Sequence, residues 1–346
     1  MKRIRVVQWG LGAMGGGMVK LMLEKDGLQV VGAIETRKDY IGKDLGDVIE
    51  LGEKLNIKIT DNPKSILKKS DVDIVILATN SFTREVVDTL QLIAEAGIDC
   101  ITIAEEMVVP EASEPDLAKT IDEFAKRHDV TILGTGINPG FVLDSLVINL
   151  SGVCHRVDRI EASRLNDLSS FGPTLLRSQG VGTSVAEFKA GVSGGGIAGH
   201  IGFNESIRMI SDALGLGVDK IEEVREPIVS NTDRETKYIK IKAGMVAGCR
   251  HTGIGFVNGK EVIRLIHPQQ ICPEAEKAET GDYINIFGAP DIKMSIKPEI
   301  PGGVGTIGLA VNMIPLVKRA SPGIKRMIDL PIPACLMGPE AYIRRM

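Results

Sequence analysis

The chain has few cysteines, no surplus of either charge and no long apolar run, and each shortage removes a class of function. Cys100, Cys154, Cys249, Cys272 and Cys335 are odd in number, far apart and without Cys-x-x-Cys or Cys/His spacing, which argues against a disulfide framework and a zinc site. Reduced thiols in a cytoplasm are the expectation, with no metal. Lys and Arg total 41 against 45 Asp and Glu, a net charge of −4 with no long run of one sign. The footprint of a nucleic-acid binder is therefore missing, and a small-molecule partner is expected. Lys2 and Arg3 open the chain, but the apolar run behind them breaks at Gly10, too short for a signal-peptide core or a membrane span. A soluble, cytoplasmic protein without a membrane partner is expected. There is no internal repeat and no low-complexity tract.

What is present fills two domains: 346 residues at 43% hydrophobic content exceed what a single core usually supports. In the first 140 residues, β-rich runs at 4–9, 28–34, 73–79, 99–104 and 130–135 alternate with helical periodicity at 13–25, 82–96 and 115–127, and 57–60 adds a shorter run. This β-α-β-α order predicts a parallel sheet, an α/β fold. After about residue 145 the texture changes to strand-like stretches (VDRIEASRL, TKYIKIKAG, KEVIRLIHP, DYINIFG, IKMSIKP), interrupted at 180–207 by a glycine-rich segment running into a helix. A second, α+β domain follows, with an antiparallel or mixed sheet carrying helices on one face. Helical spacing returns near Thr306 in GTIGLAVNMIPLVKRA, and this last helix is expected to pack back on the first domain. The predicted domains are 1–145 with 304–346, and 146–303.

The first run ends in GLGAMG, which places Gly10, Leu11, Gly12, Ala13, Met14 and Gly15 between a strand and a helix. Gly-x-Gly-x-x-Gly is weak alone, but in this context it is the phosphate turn of a Rossmann domain. Gly10 makes the turn, Gly12 lets backbone approach a pyrophosphate, and Gly15 lets the helix sit close with its amides toward the phosphates. At the end of the next strand, twenty residues past Gly15, stands Glu35, where a carboxylate can accept from an adenosine ribose. Arg37 and Lys38 follow it. The carboxylate favours NAD, the two cations would attract the 2′-phosphate of NADP, and the cations can equally be a solvated loop face. NAD or NADP is the expected cofactor. Thr79, Asn80 and Ser81 close the fourth unit and are expected beneath the pyrophosphate and nicotinamide ribose.

Glu105 and Glu106 follow the next strand. If the strand stays extended, alternation sends at most one into the crevice, where it can hold a substrate ammonium and take its proton; the other is solvated or paired. A bare amine is needed because an ammonium of pKa near ~10 cannot release hydride. The same pair could simply cap the following loop. Asn138, in GTGINPGF, can donate to and accept from a substrate or nicotinamide amide, or serve only its Asn-Pro-Gly turn. In the second domain RLND, the segment around Arg177, and GHIGFNE bring polar groups among glycines, and a lone histidine such as His200 or His267 is more often structural than catalytic.

GLGAMG, ATNS, IAEEMVVP, GINPGF and GGVGTIGLAVNMIP together resemble the dihydrodipicolinate-reductase-like oxidoreductases, and within them the NAD(P)-dependent amine dehydrogenases that act on 2,4-diaminopentanoate in ornithine degradation. The resemblance spans essentially the whole chain. It implies an N-terminal Rossmann domain, a substrate and dimerisation domain inserted before the final helix, a homodimer, and oxidative deamination of the 4-amino group. It also implies that Glu105 is the catalytic carboxylate, that Asn312 joins the cofactor contacts, and that Asn138, Arg164, Asn166, His200 and His267 contact a diamino acid substrate. The chain lacks the His-His-x-x-Lys pattern of dihydrodipicolinate reductase and the Asn-Lys strand end of homoserine dehydrogenase, which disfavours those two chemistries. Two further readings stay open: reduction of another small imine or carbonyl metabolite, and an NAD-sensing module without turnover.

Overall fold

The structure is a computed structural model that describes residues 3–338. It divides into two compact units, Met1–Phe141 with Pro301–Met346, and Val142–Ile300. Both boundaries fall a few residues before the predicted ones.

In the first unit the chain runs β1 (Ile4–Trp9), α1 (Ala13–Leu23), β2 (Leu28–Ile34), β3 (Ile59–Thr60), β4 (Ile74–Leu77), a helix Thr83–Glu95, β5 (Asp99–Thr102), a helix Pro115–Arg127 and β6 (Thr131–Gly134). The strands lie in the order β6-β5-β4-β1-β2-β3, all parallel. Strands such as IVIL in β4 are buried at every position, as a sheet covered on both faces requires. The helix Thr83–Glu95 buries Val86, Leu90, Ile93 and Ala94, an i, i+4, i+7, i+8 stripe laid against the sheet. Each of those larger side chains contributes roughly 1.5–3 kcal/mol by leaving water.

After the second unit the chain returns as a helix at Gly302–Val317. It starts four residues before Thr306 because Gly302–Gly305, which read as loop, already take helical form. This helix packs on α1, close enough that a Cβ at Gly17 would lie 2.4 Å from Ile307 Cδ1. Lys318 pairs with Asp99 just past its end. A final strand, Gly323–Lys325, then adds to β6 as the seventh, in parallel. GIK is too short and too polar to read as a strand from sequence.

The second unit holds a six-stranded sheet built from β7 (Arg156–Asp167), β8 (Lys220–Val229), β11 (Val246–Val257), β12 (Lys260–Gln270), β13 (Gly281–Ala289) and β14 (Ile292–Ile296), with a small side ladder of β9 (Arg234–Glu235) and β10 (Lys240–Ile241). The order β14-β13-β7-β12-β11-β8 is antiparallel except where β12 runs parallel to β7. TKYIKIKAG supplies only part of the side ladder, a correction to its reading as a full strand. Two long strands were not anticipated, β8 with its alternating charges and Pro227, and β11 with three glycines and a histidine. No helix among the described residues is long and apolar enough to cross a membrane.

Candidate active site

The three glycines of the first turn differ in what surrounds them. Gly10 has φ +90 and lies where a Cβ would sit 2.3 Å from Ala78 O, while a Cβ on Gly15 would sit 1.9 Å from Gly10 O. Both are demanded by the protein's own packing. Gly12 has an ordinary φ of −67 and caps α1 without a side-chain bond, and a Cβ on it would meet no atom within 4 Å. Leu11 is buried and donates its N–H to Glu35 at 2.9 Å. Gly12 and Ala13 lie exposed at the head of α1, whose first amides and dipole favour an anion. Met14 leans toward Gly303 on the returning helix. On that helix Asn312 keeps a buried Oδ1 with no hydrogen-bond partner among the described residues.

Glu35 is buried at the end of β2. Its Oε1 accepts from the Thr36 and Arg37 amides at 2.8 and 3.2 Å, and its Oε2 from Leu11 N and Arg37 Nη2, both at 2.9 Å. Burial opposes its ionisation, but these donors, Arg37 foremost, hold the carboxyl below its usual range. The Arg37 guanidinium also lies 4.0 Å from the Tyr40 ring centroid, a neighbour that the sequence reading did not single out. Lys38 is exposed. Arg37 thus sits on the carboxylate rather than free in the loop, and a ribose hydroxyl bound there would compete with it for Oε2. Arg37→Ala should weaken NADP by roughly tenfold or more, the scale of a charge-assisted phosphate contact, and leave NAD unchanged or tighter. Equal losses for the two dinucleotides in paired titrations would place Arg37 away from the 2′ position.

Thr79, Asn80 and Ser81 follow β4, with Thr79 and Asn80 exposed. Strand β5 ends at Thr102, and Glu105–Val108 form a 3₁₀ turn. The expectation that strand alternation separates Glu105 from Glu106 is therefore corrected, since the chain is no longer extended there. The turn separates them by other means. Glu106 is buried, and its Oε2 accepts the Thr83 N–H at 2.8 Å at the head of a helix. Glu105 is half-buried and takes a hydrogen bond from Ser81; burial, more than that bond offsets, raises its pKa, and Glu106 adds to the rise. Asn138 lies half-buried in the loop after β6, beside Ile137, whose N–H donates to Thr306 Oγ1 at 3.2 Å.

In the second unit one row of the sheet is polar. Asp282 of β13 pairs with Arg164 of β7. Ile266 stands beside Ser163 and Gln269 beside Asn166, so His267 of β12 falls alongside Arg164. His251 of β11 faces His267, and Arg225 of β8 faces His251. Arg164 is buried, with Nη1 on Asp282 Oδ1 and Nη2 on Ile300 O, both at 2.5 Å. Its guanidinium is thus already anchored within its own unit. His267 Nε2 is 3.0 Å from Asn166 Oδ1. The His200 ring meets His267 and Phe203 edge-on, each at 4.8 Å between centroids. Four predicted residues, Arg164, Asn166, His200 and His267, are therefore neighbours, joined by His251 and Glu223, which sequence reading missed. Burial, with repulsion from His251 and Arg164, lowers His200 to about 3, and His267 is pushed well down by burial and the same kind of neighbours. These imidazoles are therefore held in the neutral form, each with one donor and one acceptor nitrogen. No described group of His, Cys, Asp and Glu has a metal-binding arrangement.

The protein leaves the space over Gly12 open, and a pyrophosphate laid across the turn would fill it. With a carboxylate at the next strand end, the first unit is the dinucleotide fold of an NAD(P)-dependent oxidoreductase. Residues 4–103 match the N-terminus of dihydrodipicolinate reductase, and residues 141–345 match the 2,4-diaminopentanoate dehydrogenase C-terminal domain. The chain is 46% identical to 2,4-diaminopentanoate dehydrogenase of Acetoanaerobium sticklandii over 98% of its own length and 96% of that protein. It is 23% identical to an amine dehydrogenase of Streptomyces virginiae over 95% and 96% of the two chains. The structure of an amine dehydrogenase from Mycobacterium smegmatis superposes with a TM-score of 0.84 at 29% identity, covering 96% of this chain and 97% of that one. The chain belongs to the 2,4-diaminopentanoate dehydrogenase family, whose members are NAD(P)-dependent dehydrogenases.

Proposed function

We propose that this chain oxidises 2,4-diaminopentanoate at C4 to 2-amino-4-oxopentanoate and ammonia, and runs the reductive amination in reverse, as a step of ornithine breakdown. The observation that carries this reading is Glu105, a desolvated carboxylate oriented by Ser81 in the same unit as the open Gly12 turn. The substrate nitrogen arrives as an ammonium, which holds the electron pair needed to expel hydride in an N–H bond. Glu105 accepts that proton, and the Ser81 hydrogen bond keeps its carboxylate aimed. A bound nicotinamide supplies the hydride acceptor. As water adds to the resulting iminium, Glu105 moves protons between the water oxygen and the departing nitrogen. The residues that would hold the dinucleotide are Gly10–Gly15 for the pyrophosphate, Glu35 with Arg37 for the adenosine ribose, Thr79–Ser81 for the nicotinamide ribose, and Asn312 Oδ1 as acceptor for the carboxamide.

In the second unit, His200 and His267 with Asn166 are assigned to the substrate carboxylate as hydrogen-bonding partners, with Arg164 supplying a positive field from its anchored position. Asn138 is assigned to the polar end of the substrate. A cytoplasmic homodimer completes the reading. It is supported by the outer sheet face, where Leu165, Ile266, Tyr283 and Phe287 stay half-exposed. The test is NAD(P) reduction with 2,4-diaminopentanoate, with ammonia measured alongside. One ammonia per reduced dinucleotide is expected. No reduction with this substrate, but NAD(P)H oxidation by another imine or carbonyl metabolite without added ammonia, points to a reductase, and binding without turnover points to a sensor.

A further inference from the structure

His200 lies near the end of a segment, Gly191–Gly202, with six glycines, and Ser193–Gly196 within it are exposed. Glycine-rich backbone has much conformational freedom to lose, and the local bonds of this segment, Gly196 and Ile197 N–H to Gly191 O among them, stop short of His200. Side chains from elsewhere hold the residues that follow. Arg225 Nε donates to Ala198 O at 2.7 Å, Gln179 Nε2 donates to Gly199 O at 2.8 Å, and the His200 N–H donates to His251 Nδ1 at 2.9 Å. Three consecutive residues are gripped by side chains from three separate parts of the unit. Gln179 and His251 are almost fully buried, where such bonds are least exposed to competing water.

The wiring behind this grip is continuous. Because His251 Nδ1 accepts a backbone proton, its ring hydrogen sits on Nε2, which lies 3.1 Å from Glu223 Oε2. Arg225 Nη2 donates to that same oxygen at 2.6 Å. Burial opposes ionisation of Glu223, yet His251 and Arg225 hold its carboxyl below the usual range. Gly199 has φ +67, and a Cβ there would sit 2.7 Å from His251 Nδ1, so the absence of a side chain is what lets the imidazole reach the backbone. What the grip holds in place is the His200 ring, whose buried Nε2 has no hydrogen-bond partner among the described residues.

We propose that Gln179, Arg225 and His251 are positioning residues that preset the backbone at Ala198–His200 and thereby hold His200 Nε2 ready for the substrate carboxylate. This rests on the role assigned to His200 above. Hydrogen exchange of the peptide covering 194–203, read with KM and kcat for 2,4-diaminopentanoate, tests it in the full chain. Asn places an acceptor near the position of imidazole Nδ1, whereas Gln reaches toward that of Nε2. His251→Gln and Arg225→Gln should speed exchange and raise KM about five- to tenfold with kcat nearly constant, the effect of about one lost hydrogen bond. His251→Asn should rescue both. If His251→Gln does not fold, Arg225→Gln, on an edge strand with a partly exposed side chain, carries the test. Unchanged exchange in the folded variants overturns the clamp. Faster exchange without a KM change, where His200→Ala does raise KM, overturns the clamp's role in recognition while leaving the His200 assignment standing. A His200→Ala enzyme with parental KM removes that assignment and the proposal with it.

Discussion

Glu105→Gln is expected to bind the dinucleotide as the parent does and to turn over more slowly by roughly 10²- to 10⁴-fold, the range for removing a positioned general base. The glutamine keeps the size and the Ser81 contact and removes the charge that accepts the proton. The pH profile gives a second readout. The ionised carboxylate is the competent form, and burial raises its pKa. Activity is therefore present above the raised value and lost as pH falls through it, so the acidic limb of kcat/KM should lie above the ordinary Glu range of about 4.3. In Glu105→Gln that limb should vanish, leaving a residual rate that follows free amine and climbs toward alkaline pH. Glu106→Gln should keep most activity, because its task is to accept the Thr83 N–H and an amide oxygen can still do that. An inactive Glu106→Gln beside a near-normal Glu105→Gln would reverse the two roles. Two active variants would remove the carboxylate mechanism.

Gly12→Val should abolish NAD and NADP binding while leaving the unliganded fold intact, with a Tm within about 2 °C of the parent, the scale of a loss of about 1 kcal/mol. The backbone there is ordinary, and an added Cβ meets no atom of the protein, so the side chain would intrude only on a ligand. Gly15→Val is the contrast, since its Cβ would drive into Gly10 O at 1.9 Å and should cost stability before binding is measured. Parental affinity of Gly12→Val in calorimetry would move the pyrophosphate off this turn.

The dinucleotide fold of the first unit was legible because its logic is local. Strand, glycines and helix follow one another within twenty residues, and Gly10 and Gly15 each have a distinct steric reason. The choice between Glu105 and Glu106 was not legible by strand periodicity, because the chain leaves extended geometry at Thr102 and a 3₁₀ turn sorts the two side chains. His251 went unnoticed because glycine-spaced β11 hides its strand. A signal was present nonetheless. Asn258-Gly259, with φ +50 and +77, is the dipeptide that two-residue hairpin turns prefer, and it joins β11 to β12. Counting back from that turn would set His251 against Ile266. A register shift between Gly255 and Phe256 moves the pairing by one, to His267. Only the folded ladder shows that displacement, because a bulge depends on packing as well as on the residues beside it. The partners of Arg164 were hidden for a related reason, since Asp282 lies far away in sequence.

The returning helix Gly302–Val317 and the strand Gly323–Lys325 complete the first unit with residues encoded after the whole second unit. A ribosome thus releases the dinucleotide fold in two instalments. While residues 142–300 emerge, the α1 surface around Gly17 waits for Ile307, Asp99 for Lys318, and β6 for its outer neighbour. The nascent first unit then exposes apolar surface and an open sheet edge, the features that invite aggregation and chaperone capture during synthesis. The later-encoded second unit has all six strands of its sheet in one uninterrupted stretch, so translation can finish the later domain before the earlier one.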